Sequence, residues 1–172
     1  MTLLDVMLKR RSTRTFNDKP VTKEELEKIL QAALLAPTSM NRKSCNFLVV
    51  ERDETLKELS RCKNHGADLI AGADKAIVVV ADTMIADTWC EDSSIALTYM
   101  HLMAAELNLG SCWVQIHLRD KDGIDAESVV RDIVKIDDHY RIVGILALGH
   151  SDDIPAPHTL DDIDKNKIHF LV

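Results

Sequence analysis

Ala76-Ile77-Val78-Val79-Val80-Ala81-Asp82 is the stretch on which the fold turns. A nearly all-apolar run of this length, with β-branched residues at its centre, reads as a strand. Upstream, Phe47 to Val50 reads as another buried strand, followed by a charged helix over 53–63. Downstream, Thr88-Trp89-Cys90-Glu91 has the form of a capping box, and the helix it opens runs to Leu109 with apolar residues almost all round, so it belongs inside the protein. Gly110 is placed to end it. Ser111 to Ile116 then reads as a third strand, Ala126 to Val134 as a helix, and Arg141 to Gly149 as a fourth strand.

Further out, residues 2–10 set Leu3, Leu4, Met7 and Leu8 on one helical face. A second helix starts at the capping box Thr22-Lys23-Glu24-Glu25, carries the stripe Leu26, Ile29, Leu30, Ala33 and Leu34, and stops at Pro37. His150 to Val172, with Pro155 and Pro157 and little periodicity, reads as an extended arm over a neighbour's surface. No repeat or linker divides the chain, so the expectation is one α+β (mixed α/β) domain over 1–172, with a central sheet flanked by helices.

At 172 residues and 46% hydrophobic composition, such a domain buries roughly 70% of its unfolded surface. The 21 Lys plus Arg against 28 Asp plus Glu leave a net charge of −7, which disfavours nucleic acid and anionic lipid as partners and requires any anion site to be local. Cys45, Cys62, Cys90 and Cys112 form no CxxC pair and suit reduced thiols, and the longest apolar run is far short of the ~20 residues of a spanning helix. A soluble cytoplasmic protein is expected.

Two polar clusters carry the candidate chemistry. Arg10-Arg11-Ser12-Thr13-Arg14 offers planar guanidinium forks and a hydroxyl, which match phosphate oxygens; the same residues also suit the end of a helix, whose carbonyl pole favours cations. If phosphate binds there, side chains rather than backbone amides must hold it. Pro37-Thr38-Ser39-Met40-Asn41 reads as a helix stop and turn, or as hydroxyl and amide groups for the polar edge of a heterocycle. Neither GxGxxG nor GxxxxGK[ST] occurs, Cys62 and His65 lack a second ligand pair so no metal site is expected, Glu91 and Asp92 fit a helix start, and His101 receives no role.

In order and spacing, these clusters together with Leu109-Gly110-Ser111-Cys112-Trp113 and Gly144-Ile145-Leu146-Ala147-Leu148-Gly149-His150 resemble the nitroreductase family. The resemblance implies that family's fold, a four- to five-stranded sheet with an extended C-terminal arm, and a homodimer with FMN at its interface. It implies electron transfer from NADH or NADPH to a small oxidised acceptor, a nitroaromatic or quinone, by a ping-pong mechanism at flavin N5 with no obligatory catalytic side chain. By the same resemblance Arg10 and Ser12, within the cluster that includes Arg11, hold the ribityl phosphate, and Arg14 faces the pyrimidine end. Ser39 and Asn41, in the Pro37-Thr38-Met40 loop, meet the ring from the second subunit. Trp113, Val114 and Gln115 lie near N5, and Gly149 and His150 near the phosphate. The chain departs from the family after its last strand, where Ser151 to His158 contains no Lys or Arg, so that His150 or His158 substitutes or the arginine cluster acts alone. A flavin-binding or sequestering protein with little turnover is the alternative.

Overall fold

The run at 76–81 forms a strand in which every residue is exposed by 2% or less. Around it the computed structural model, described over residues 2–153 and 155–171, places α1 (Leu3–Lys9), α2 (Lys23–Leu35), β1 (Cys45–Val50), α3 (Asp53–Leu59), β2 (Lys75–Asp82), α4 (Trp89–Glu106), β3 (Gly110–Gln115), β4 (Asp120–Lys121), β5 (Ile124–Asp125), α5 (Ala126–Val134) and β6 (Tyr140–Gly149). The main sheet has the order β1-β2-β6-β3 and is antiparallel throughout, with β2 and β6 central. Both are buried on two faces, which is why they are apolar without alternation. Ile77, Val79, Leu146 and Leu148 pack on α2 and α4, and Val78, Val80, Ile142 and Ile145 face the side closed by α3 and α5.

Local rules explain most boundaries. Thr22 and Glu25 form the expected capping box, and α5 covers the anticipated residues, starting on the Asp125 side chain. Three expectations are corrected. Thr88 makes no capping bond to a backbone amide; its hydroxyl donates to Asp92 Oδ2 at 3.4 Å. The charged helix stops at Leu59, because a turn then drives Cys62 into the core. α4 is only partly enclosed: Tyr99, Leu102 and Met103 line, with Leu3, Met7 and Ala32, an open apolar cleft of ≈ 330 Å³. The β4–β5 hairpin was not anticipated, although Asp122-Gly123, with φ of 51° and 83°, is a dipeptide suited to such a turn.

Among the described residues past Gly149 the chain forms only two short 3-10 turns, Leu160–Asp162 and Lys165–Lys167. Ile154 and Val172 of the expected arm lie outside the described residues. Among the described residues no helix is long and apolar enough to cross a membrane.

A buried carboxylate joins α5 to the sheet. Glu127, 2% exposed, accepts from Arg141 Nε (2.8 Å) and Nη2 (2.9 Å), His117 Nδ1 (2.6 Å) and the Ile142 amide (3.0 Å), while the Arg141 guanidinium lies 4.3 Å above the Trp89 ring. Burial alone raises a carboxyl pKa, but the bonds from Arg141, Ile142 and His117 outweigh it and hold Glu127 at about 2. The folded value lies below the unfolded one, so the stabilisation is full above about pH 4.5 and fades as pH falls towards 2. Glu127→Ala, which strands Arg141, is expected to cost about 3–5 kcal/mol. Thermal unfolding of parent and variant checks this: the gap should narrow as pH falls below 4.5, and a gap independent of pH contradicts it.

Candidate functional site

α1 ends at Lys9 with Arg10 as its C-cap, and the chain then runs extended along the outer edge of β3, where Ser12 bridges Ser111 and the Thr13 amide donates to Ser111 O at 2.9 Å. Two glycines permit this crossing. A Cβ on Gly110 would stand 2.8 Å from Thr13 Cγ2, and one on Gly149 2.8 Å from Phe16 Cδ1, so both strands need a bare backbone here.

Beyond Ser111, among the described residues, no strand pairs with the outer edge of β3. Ile116 N turns inward to Val143 O, the residue bulged out of the β2–β6 register, so strand alternation directs the Trp113 and Gln115 N–H groups outward. Gln115 O, on the same edge, accepts from Lys63 Nζ at 2.8 Å. Lys63 was missed in the sequence: it sits on the turn after α3, next to buried Cys62, and no local pattern marks it.

Cations gather beside this edge. Burial raises the Cys112 thiol above its usual pKa, and the charges of Arg14, Lys63 and Arg10 with the Ser12 hydroxyl pull against that rise. Burial also lowers the Lys63 ammonium pKa. Among the described residues, no carboxylate lies within 4.0 Å of Arg10, Arg14 or Lys63. Uncompensated positive charge next to outward-pointing amides is the chemistry of an anion site.

The other candidates are dispersed. Arg11 donates to Ala156 O and ties down the C-terminal segment, helped by the His158 amide on Leu8 O (2.8 Å). His150 Nε2 lies 3.5 Å from Glu25 and His158 Nδ1 3.6 Å from Asp162, so both imidazoles face acids. Val114 points into the core, and the Gln115 amide is held between Trp113 Nε1 (3.0 Å) and His117 O (3.1 Å).

The second cluster is a strained loop. Met40, Asn41 and Lys43 all take left-handed conformations, with φ of 52°, 55° and 52°. Such residues cost of order 1 kcal/mol each and persist only where neighbours impose them. Here the Lys43 amide donates to Thr38 Oγ1 (3.1 Å) and the Ser39 amide to Asp92 Oδ1 (3.0 Å). Asp92, 2% exposed, therefore does more than begin a helix: it suspends the loop from α4, leaving Met40 and Asn41 turned to solvent.

α4 also contacts the first cluster, since Arg10 Nη1 lies 3.1 Å from His101 Nε2. From Asp92 to His101 is about two and a half turns, which sets the two anchor points on opposite faces of the helix and roughly 13 Å apart along it. One chain thus does not bring Ser39 and Asn41 to Arg10.

Removing the Asp92 anchor tests the loop. Asp92→Ala is expected to destabilise by about 1–3 kcal/mol, the cost of an unpaired buried group, and to speed amide exchange over residues 38–43. Unchanged exchange there would contradict the assignment.

The Nitroreductase family model matches residues 7–83 and 61–150. A protein of Archaeoglobus fulgidus with the provisional name NADH dehydrogenase/NAD(P)H nitroreductase is 31% identical over 171 residues, covering 96% of this chain and 95% of its own. One of the same name from Methanothermobacter thermautotrophicus is 30% identical over 173 residues, covering 99% and 87%. Among solved structures, an FMN-dependent nitroreductase of Clostridium difficile R20291 superposes with a TM-score of 0.94 at 41% identity, covering 97% of this chain and 98% of that one.

Proposed function

The chain belongs to the nitroreductase family, and from that membership we propose that it is a cytoplasmic, single-domain FMN-dependent oxidoreductase passing electrons from NADH or NADPH to a small oxidised acceptor such as a nitroaromatic or quinone. The observation that carries this reading is the set Arg10, Arg14 and Lys63, unpaired with acid among the described residues of a chain of net charge −7, beside the open amides of β3. A flat cofactor bearing a phosphate fits both halves of that description. Arg10 and Ser12 hold the phosphate, Arg14 meets the pyrimidine end, and the Trp113 to Gln115 edge, with Lys63 at its far end, lies along the ring. When bound, FMN supplies hydride uptake and release. The chain's own part is placement and charge: a fixed guanidinium at the pyrimidine end favours the negative charge that reduction leaves there, without reorganising.

A homodimer completes the site. Ser39 and Asn41 reach the flavin from the second subunit, a reading supported by the opposed faces of α4. The apolar cleft of α1, α2 and α4, and the exposed Leu160, Ile163, Ile168, Phe170 and Leu171 of the C-terminal segment, supply surface for that association and for an arm on the partner. With no dinucleotide-binding fingerprint, nicotinamide and acceptor use one flavin face in turn, which is ping-pong kinetics.

The sequestering alternative draws support from one observation: 151–158 contains no Lys or Arg, and His150 and His158 face Glu25 and Asp162. Anaerobic addition of NADH or NADPH to the FMN-loaded protein separates the readings. Bleaching of the flavin absorption within a turnover is expected; a spectrum that persists with both reductants favours sequestration and contradicts the oxidoreductase.

A further inference from the structure

Building on the FMN reading, we infer that His101 is the positioning residue for Arg10, holding the phosphate-binding guanidinium from behind through an uncharged acceptor and thereby leaving its whole charge for the phosphate. His101 is 7% exposed on α4, with Nε2 3.1 Å from Arg10 Nη1 and Nδ1 2.5 Å from Ser111 Oγ. Guanidinium nitrogens only donate, so Nε2 presents its lone pair; the ring proton is on Nδ1 and is donated to Ser111. Ser111 belongs to the strand whose carbonyl holds Thr13, so a single imidazole links α4, β3 and the 10–14 segment. Burial, and then the charge of Arg10, press the imidazole pKa down to about 4, so the ring stays uncharged at neutral pH.

Two features of the site require such a group. Arg10 follows directly on α1, and a cation at a helix C-terminus is drawn to its final carbonyls; here the guanidinium is instead held on α4 by His101. A carboxylate would hold it equally well but would neutralise it, as Glu127 does Arg141. With no Lys or Arg in 151–158, the charge on Arg10 has no substitute from that segment.

Riboflavin, which lacks the phosphate, isolates the effect. The ratio of riboflavin to FMN dissociation constants is measured by flavin fluorescence for the parent, Arg10→Ala, His101→Gln and His101→Asn. Gln places an amide oxygen where Nε2 stands, whereas Asn reaches only towards Ser111. Arg10→Ala is expected to collapse the ratio. His101→Asn is expected to lower it about tenfold with riboflavin affinity unchanged, the worth of one hydrogen bond to a charged group, and His101→Gln to stay within about threefold of the parent. If the parent prefers FMN and Arg10→Ala abolishes the preference while His101→Asn keeps it, the inference alone is overturned; so it is if His101→Asn weakens both ligands equally, or if Gln falls with Asn. A parent indifferent to the phosphate overturns the FMN reading and the inference with it. Should His101→Asn not fold, Ser111→Ala, which frees the imidazole, is expected to lower the ratio in the same sense, and an unchanged ratio there overturns the inference.

Discussion

A strand at the edge of a sheet leaves N–H and C=O groups that must be covered, blunted or used. In this protein the outer edge of β3 is divided between those outcomes. Residues 12–13 cover its first part, crossing over Gly110 and Gly149, and the part from Trp113 to Gln115 stays open between Arg10 and Lys63. The fold prepares that opening: β2 and β6 occupy the centre of the sheet, β3 lies at its edge, and alternation in the β3–β6 register turns Ile116 inward to Val143 O just past the open stretch. α4 then supports the arrangement from one side through His101 and carries the 38–43 loop on the other through Asp92.

The treatment of charge divides the arginines that are satisfied within the protein from those that are not. Arg141 meets a buried carboxylate with two bonds and a tryptophan face, an arrangement that joins α5 to β6 and leaves little charge for a ligand. Arg11 is satisfied by a backbone carbonyl, and His150 and His158 by acids. Arg10, Arg14 and Lys63 differ in facing no acid among the described residues, and His101, which holds Arg10, is itself uncharged. In a chain with an excess of acids, this asymmetry supports the anion site proposed at these residues.

Elements ruled by local chemistry were legible in the sequence: the apolar run at 76–81, the box at Thr22 and Glu25, the stop at Pro37, and α5 to the residue. Where tertiary contacts override local preference, the reading ran out. Asp92 looks like a helix-start carboxylate until the 38–43 loop is placed beside it, and Thr88 loses its capping role to the same residue. His101 is one polar residue in an apolar helix until Arg10 and Ser111 arrive from distant parts of the chain. Lys63 is one lysine among many until β3 presents Gln115 O to it. Arg10 and Arg11 are adjacent in sequence, and only the direction in which the chain leaves α1 sends one to the site and the other to Ala156.

The most direct test of the central claim is a crystal structure of the protein reconstituted with FMN. The account predicts the phosphate on Arg10 and Ser12, the ring along the Trp113 to Gln115 edge with Lys63 at its end, and Ser39 and Asn41 approaching from a second subunit. Flavin bound elsewhere, or bound with its phosphate out of reach of Arg10, would contradict it.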